Sequence, residues 1–191
     1  MKMILATNNR HKVQEISRIL DGKFQLLTLS EAGIDVEVEE TGTTLYENAL
    51  LKASTIGKMS GCIALADDTG LMVDYLDGAP GIYSARYAGI EHDDRANRAL
   101  LLANLKGVPH HERTAHFGCC IVVYFPDGHH VVANGRVDGY ILDHEEGEGG
   151  FGYDSLFWSS ELNKTFASAT PDEKNSVSHR GRALADLLTK L

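Results

Sequence analysis

The residues of this chain best suited to chemistry lie in a few short polar clusters. The first is Ala64-Leu65-Ala66-Asp67-Asp68-Thr69-Gly70-Leu71, an apolar run that ends in two carboxylates, a hydroxyl and a glycine. Carboxylates beside a core are costly to leave unpaired, so this pair needs a cation, a hydrogen-bond network or water. Asp-Asp-Thr-Gly is also good turn chemistry. Both readings are met by a turn at a strand end that delivers carboxylates to a cleft. Upstream, Thr7-Asn8-Asn9-Arg10-His11-Lys12 joins an apolar strand to an amphipathic helix. A helix start offers backbone N–H groups and a positive dipole end to an anion. Thr7 adds a hydroxyl and Lys12 an ammonium, although an ordinary capped helix with an exposed lysine has the same pattern. Glu40 closes an acidic stretch that begins at Asp35, and Asn48 and Lys52 stand four residues apart on one flank of the next helix. The densest glycine region, Glu146 to Asp154, surrounds Phe151. There the backbone can approach a ligand while the ring offers a stacking face. Lys174, His179 and Arg180 form a cationic group near the C-terminus.

Together these clusters make one chemical set. Thr7, Asn9, Lys12 and Lys52 can hold phosphates. Glu40, Asp67 and Asp68 are hard oxygen ligands of the kind Mg²⁺ takes alongside substrate phosphates. Phe151, Asp154, His179 and Arg180 can stack on a base and hydrogen-bond to it.

The elements that must position these groups follow from periodicity. Met3–Ala6 and Phe24–Leu29 read as strands. Val13, Ile16, Ile19 and Leu20 fall at helical spacing, with Asn8 or Asn9 as the cap and Gly22 just past the end. Thr44-Leu45-Tyr46-Glu47 is a capping box opening a helix with Leu45, Ala49, Ala53 and Ile56 on its apolar stripe. Cys62–Ala66 is a buried strand, and Leu71–Tyr75 is expected to form a separate one. Asp93 or Asp94 caps a helix carrying Ala96, Leu100, Leu101 and Leu105. Arg113–Phe125 and His129–Val137 form a hairpin about Pro126-Asp127-Gly128. Thr170-Pro171-Asp172-Glu173 starts a helix, and Ala183, Leu184, Leu187 and Leu188 line a last one. Strands and helices alternate early and a hairpin follows, which predicts an α/β fold with a mixed twisted sheet flanked by helices.

The chain has 191 residues, 43% of them hydrophobic, and a formal charge of -9. That length suits a single domain spanning 1–191, in two lobes. The acidic balance argues against a nucleic-acid partner, and no apolar run approaches the ~20 residues of a membrane span. The apolar stretch at Met1–Asn8 is too short for a signal peptide, and the expected location is cytoplasmic. Cys62, Cys119 and Cys120 are expected to be reduced, mostly buried and not catalytic. The pairs His110-His111 and His129-His130 lack the spacing of a zinc site.

The sequence closely resembles the inosine triphosphate pyrophosphatase family, which acts on noncanonical purine nucleoside triphosphates. The resemblance rests on Thr7–Lys12, Glu39-Glu40-Thr41-Gly42, Glu47–Ala53, Ala66–Leu71, Gly78–Tyr87, Gly149–Asp154 and Ser178-His179-Arg180-Gly181. It implies hydrolysis of XTP, ITP or dITP to the monophosphate and pyrophosphate, with Mg²⁺, in an elongated two-lobed fold with a central cleft, and a homodimer. Carried onto this chain, it implies Asp68 as general base and Glu40 and Asp68 as metal ligands. Asp67 and Lys52 join the catalytic set, Asp67 orienting a lysine or the metal's water shell. Substrate contacts fall to Thr7, Asn8, Asn9, Arg10, His11, Lys12, Thr69, Phe151, Gly152, Tyr153, Asp154, Lys174, His179 and Arg180. Thr69 stands where serine is frequent in the family, and Ser155 where proline is. On the same reading Arg180 or backbone N–H groups meet the 6-oxo group of the base. Two other functions compete. A nucleotide sensor would not need Asp67, Asp68 and Glu40 together, and a γ-phosphatase would give different products.

Overall fold

The computed structural model describes residues 2–191. Among these, the elements are β1 (Lys2–Leu5), α1 (Arg10–Leu20), β2 (Gln25–Thr28), α2 (Leu45–Ser60), β3 (Ile63–Val73), β4 (Pro80–Gly81), α3 (Asp94–Asn104), β5 (Thr114–Tyr124), β6 (His130–Ile141), β7 (Phe157–Ser159), β8 (Lys164–Thr165), α4 (Pro171–Val177) and α5 (His179–Leu188). The strands form a sheet in the order β2-β1-β3-β5-β6-β7-β8, with β4 paired to β3. β1 runs parallel to β2 and to β3, while β6, β7 and β8 are antiparallel neighbours. This is the mixed α/β fold expected. No helix among the described residues is long and apolar enough to cross a membrane.

The chain divides into two compact units. The first is Met1–Asp68, Cys119–Gly135 and Arg180–Leu191; the second is Thr69–Gly118 and Arg136–His179. β3, β5 and β6 each contribute residues to both.

In the first unit, strand alternation feeds two apolar clusters. Met3 and Leu5 of β1, Leu65 of β3 and Cys119, Ile121 and Val123 of β5 pack with Ile16 and Leu20 of α1 and with Ala183, Leu184 and Leu187 of α5. The residues between them, Ile4, Ala64, Ala66, Cys120 and Val122, pack with Ala49, Ala53 and Ile56 of α2. One face of the sheet is therefore covered by α1 and α5, the other by α2. The helix signals are those expected: Asn9 rather than Asn8 caps α1, Thr44 caps α2, and Thr170 and Glu173 form the capping box of α4. Gly57 lets α2 lie against β5, because a Cβ there would stand 2.6 Å from Cδ1 of Tyr124.

The second unit gathers Leu71, Val73, Leu101, Leu105, Phe117, Val137, Ile141, Leu156, Phe157 and Phe166 into one cluster. Beside it lies a buried arginine the sequence does not advertise. Arg113 donates to the carbonyls of Ile141 (2.8 Å), Leu105 (2.9 Å) and Leu142 (2.7 Å), closing the end of α3 against β6. Removing it would strand buried acceptors, each costing about 1–3 kcal/mol. Arg113→Leu is therefore expected to lower the urea unfolding free energy by about 3 kcal/mol or more. A loss below about 1 kcal/mol would contradict this role for the guanidinium.

Candidate active site

The two central acids do not sit at a turn. β3 runs unbroken from Ile63 to Val73 through Asp67-Asp68-Thr69-Gly70, and Leu71 still pairs with Gly81. Leu71–Val73 belongs to this same strand, and only Asp74–Leu76 leaves it, as a 3₁₀ turn. Both corrections have one cause. The strand need not end to bring its acids to water, because each acid meets cations inside the fold. Successive side chains of a strand point to opposite faces, so Asp67 shares the Leu65 face, toward α1 and α5, and Asp68 the Ala64 and Ala66 face, toward α2.

Asp67, only 1% exposed, receives Lys12 of α1 at 3.2 Å and Arg180 at the start of α5. Arg180 donates to one Asp67 oxygen twice, through Nε at 3.1 Å and Nη2 at 2.9 Å, and its Nη1 pairs with Glu15 of α1. Burial alone would raise the Asp67 carboxyl, but Lys12 and Arg180 outweigh it and hold the group well below the usual carboxylate range. Asp67 is thus a fixed anion. Arg180 is clamped on Asp67 and Glu15. The reason is burial: at 1% exposure a guanidinium requires carboxylate partners.

Asp68 is set differently. Its oxygens meet Lys52 Nζ at 3.4 Å and Asn48 Nδ2 at 3.2 Å, both from α2. Lys52 also reaches Glu40 Oε1 at 2.5 Å, so two carboxylates converge on one ammonium. Burial pushes the Asp68 carboxyl up; Lys52 draws it down, Glu40 adds to the rise, and the net shift is upward. Burial works against the charge on Lys52, but Asp68, Glu40 and Asp67 outweigh it and raise its pKa. Adjacent acids in one strand are thereby driven apart, one to permanent charge and one toward basicity. Asn48, given no role from sequence, is fully buried and accepts from Gly42 N–H at 2.8 Å. That bond turns its amide nitrogen toward Asp68. The signal was its place four residues before Lys52 on the same helix flank.

The Thr7–Lys12 segment is more organised than a bare helix start. Asn9 Oδ1 accepts from the N–H groups of His11 (3.0 Å) and Lys12 (3.2 Å), and Thr7 Oγ1 accepts from Asn9 N–H at 3.2 Å. Asn8, Arg10 and His11 are exposed there, and Thr69 is half-buried on β3 beside Asp68.

In the second unit, a buried ion pair supports the glycine-rich loop. Asp154 accepts from Lys174 Nζ at 2.6 Å and from Phe151 N–H at 2.9 Å. The same ammonium lies 4.8 Å from the centroid of the half-buried Phe151 ring. Gly150 lies at φ +72°, and a Cβ there would strike the Asp154 carboxylate. Tyr153 is buried and donates to the Ser84 carbonyl at 2.8 Å, so it anchors the loop. His179, also buried, stacks on Phe117 at 4.7 Å.

Asp67 provides a test by pH. A depressed folded pKa adds stability that is present above the unfolded value, about 3.9, and is lost as pH falls through and below it. Asp67→Asn leaves Lys12 and Arg180 facing a neutral group and should cost about 3–5 kcal/mol at neutral pH. In urea unfolding series the gap between wild type and variant should narrow as pH falls from about 5 to 3. A gap that widened would mean that Asp67 is not the compensated anion.

Known proteins match this chain over its whole length. A model of the Ham1 family matches residues 3–190. The dITP/XTP pyrophosphatase of Clostridium perfringens is 52% identical over 197 residues, spanning 100% of this chain and 97% of the relative. That of Bacillus subtilis is 45% identical over 185 residues, spanning 96% and 93%. Among solved structures, the Ham1 protein of Staphylococcus aureus superposes with a TM-score of 0.88 at 40% identity, covering 99% of this chain and 97% of that one. A HAM1 protein from Coxiella burnetii gives 0.89 at 35% identity, with 100% of each chain covered. All the sequence blocks that carry the resemblance lie within the matched residues, and the chain belongs to the Ham1 family.

Proposed function

We propose that this protein hydrolyses noncanonical purine nucleoside triphosphates (XTP, ITP and dITP) to the monophosphate and pyrophosphate, and so cleanses the nucleotide pool. Water attacks the α-phosphorus, the bond from that phosphorus to the α–β bridging oxygen breaks, and pyrophosphate leaves. The observation that carries the reading is the division of labour on β3. Asp68, buried on the α2 face and hydrogen-bonded by Asn48, accepts the proton of the attacking water. Asp67, fixed as an anion, holds Lys12 at the start of α1. Lys12 and Lys52 supply positive charge for the departing pyrophosphate.

Glu40 and Asp68 fit a magnesium ion. Among the described residues no three or more His, Cys, Asp or Glu side chains form a metal cluster. Mg²⁺ does not need one, because one or two carboxylates plus substrate phosphates satisfy it. Two carboxylates already gathered on the Lys52 ammonium supply that set of donors. When bound, the ion offsets charge on the phosphates.

The base end is assigned to Phe151, Gly152, Asp154, Lys174 and His179. Arg180 or backbone N–H groups are the donors to a 6-oxo acceptor. An amine in that place, as in ATP, would leave them unpaired at roughly 1–3 kcal/mol for each buried group. We further propose a homodimer, in line with the family resemblance, working in the cytoplasm, where nucleotide pools lie.

A panel of XTP, ITP, dITP, GTP and ATP with product identification tests the whole reading. The first three should give monophosphate plus pyrophosphate with far higher kcat/KM than ATP. Diphosphate plus phosphate as products, or equal use of ATP, would refute it. Asp68→Asn should lower kcat by about 10²–10⁴-fold while substrate still binds. Chelation by EDTA should abolish turnover and added Mg²⁺ restore it; full activity in the chelator would remove the metal from the proposal.

A further inference from the structure

We infer that Asp94 and Arg98, four residues apart on α3, are positioning residues for recognition of the base: together they hold both polar backbone atoms of Gly152 and so fix the loop that presents Phe151. The inference rests on the function proposed above.

The sequence offers Asp93 or Asp94 as the cap of α3, and the structure gives them different tasks. Asp93 Oδ1 accepts from Ala96 N–H at 3.0 Å and caps the helix. Asp94 Oδ2 instead accepts from Gly152 N–H at 2.8 Å. One turn on, Arg98 Nη1 donates to the Gly152 carbonyl at 2.9 Å. The spacing of four places both side chains on one flank of the helix. Arg98 Nε also binds Glu145 Oε2 at 2.9 Å, and Ser155 Oγ donates to that same oxygen at 2.9 Å. Contacts therefore bracket the Phe151 loop on either side.

This clamp replaces secondary structure. The residues around Phe151 belong to no strand or helix, and Gly152 sits at φ +59°. α3 is anchored separately, by the fully buried Leu101 with Leu105 just past its end, and neither Asp94 nor Arg98 joins that cluster. What the two side chains fix is the direction of the Phe151 ring above the Lys174 ammonium. Ordering a backbone residue costs conformational entropy. Without the clamp, substrate binding would bear that cost for the loop, whereas the proton transfer at Asp68 would be untouched.

The test is steady-state kinetics with ITP on Arg98→Ala, Asp94→Ala, Arg98→Lys and Asp94→Asn, with thermal midpoints alongside. For both alanine variants, KM should rise about tenfold while kcat stays within about twofold of wild type. Asp94→Asn keeps an acceptor and Arg98→Lys keeps a donor, so each should recover most of the lost affinity. Both side chains are half-buried, and Arg98→Ala decides if Asp94→Ala does not fold. An unchanged KM in Arg98→Ala overturns the inference. So does a fall in kcat that tracks a fall in thermal midpoint, which is the mark of a structural role. Wild type inactive on ITP would remove the proposed function and this inference with it; active wild type with unmoved variants would remove this inference alone.

Discussion

The first unit depends on keeping Asp67 ionised in a nearly solvent-free place. An isolated buried carboxylate would take up a proton, and Lys12 and Arg180 prevent that. Their positions link α1, β3 and the start of α5 through charge as well as packing. Glu15 extends the network by pairing with Arg180. A buried ion group of this kind adds less to stability than its contacts suggest, because desolvation offsets much of the attraction. Its effect is on geometry. Lys12 is drawn to a set place at the first turn of α1, where Asn9 and Thr7 already arrange the backbone.

Placing Asp68 next to Asp67 on a strand has a further consequence. Strand alternation turns them to opposite faces, so their direct ion-pair partners differ although Lys12 and Lys52 each act on both at longer range. Asp67 sees α1 and α5, and Asp68 sees α2 and Glu40. The environments then diverge in sign: cations outweigh burial at Asp67, and burial with Glu40 outweighs Lys52 at Asp68. A carboxyl held low and one pushed up come from identical side chains one residue apart.

The second unit solves a different problem, the ordering of a loop too rich in glycine to order itself. Asp154 closes the turn beneath Phe151, Tyr153 ties it to Ser84, and Lys174 couples the ring to Asp154. Glycines at positive φ make the path possible, and side chains from outside the loop make it definite.

Much of this was legible in the sequence. Helical periodicity, the caps at Asn9, Thr44 and Thr170, and the apolar β-runs determined the elements and the mixed α/β class, because these are local signals. The residue types and family blocks determined which side chains are candidates for phosphate, metal and base. The sequence reading failed where a local rule competed with a distant partner. Asp-Asp-Thr-Gly reads as a turn only until cations 55 and 113 residues away, Lys12 and Arg180, are seen to neutralise Asp67 within a strand. That Arg180 meets Asp67 on β3 and Glu15 on α1 is likewise set by partners far away in sequence. The roles of Asn48, Arg113, Asp94 and Arg98 depend on backbone atoms brought near by folding. Which cation faces which acid, and hence which acid is basic, is a property of the two faces of a sheet, and only the tertiary structure assigns it.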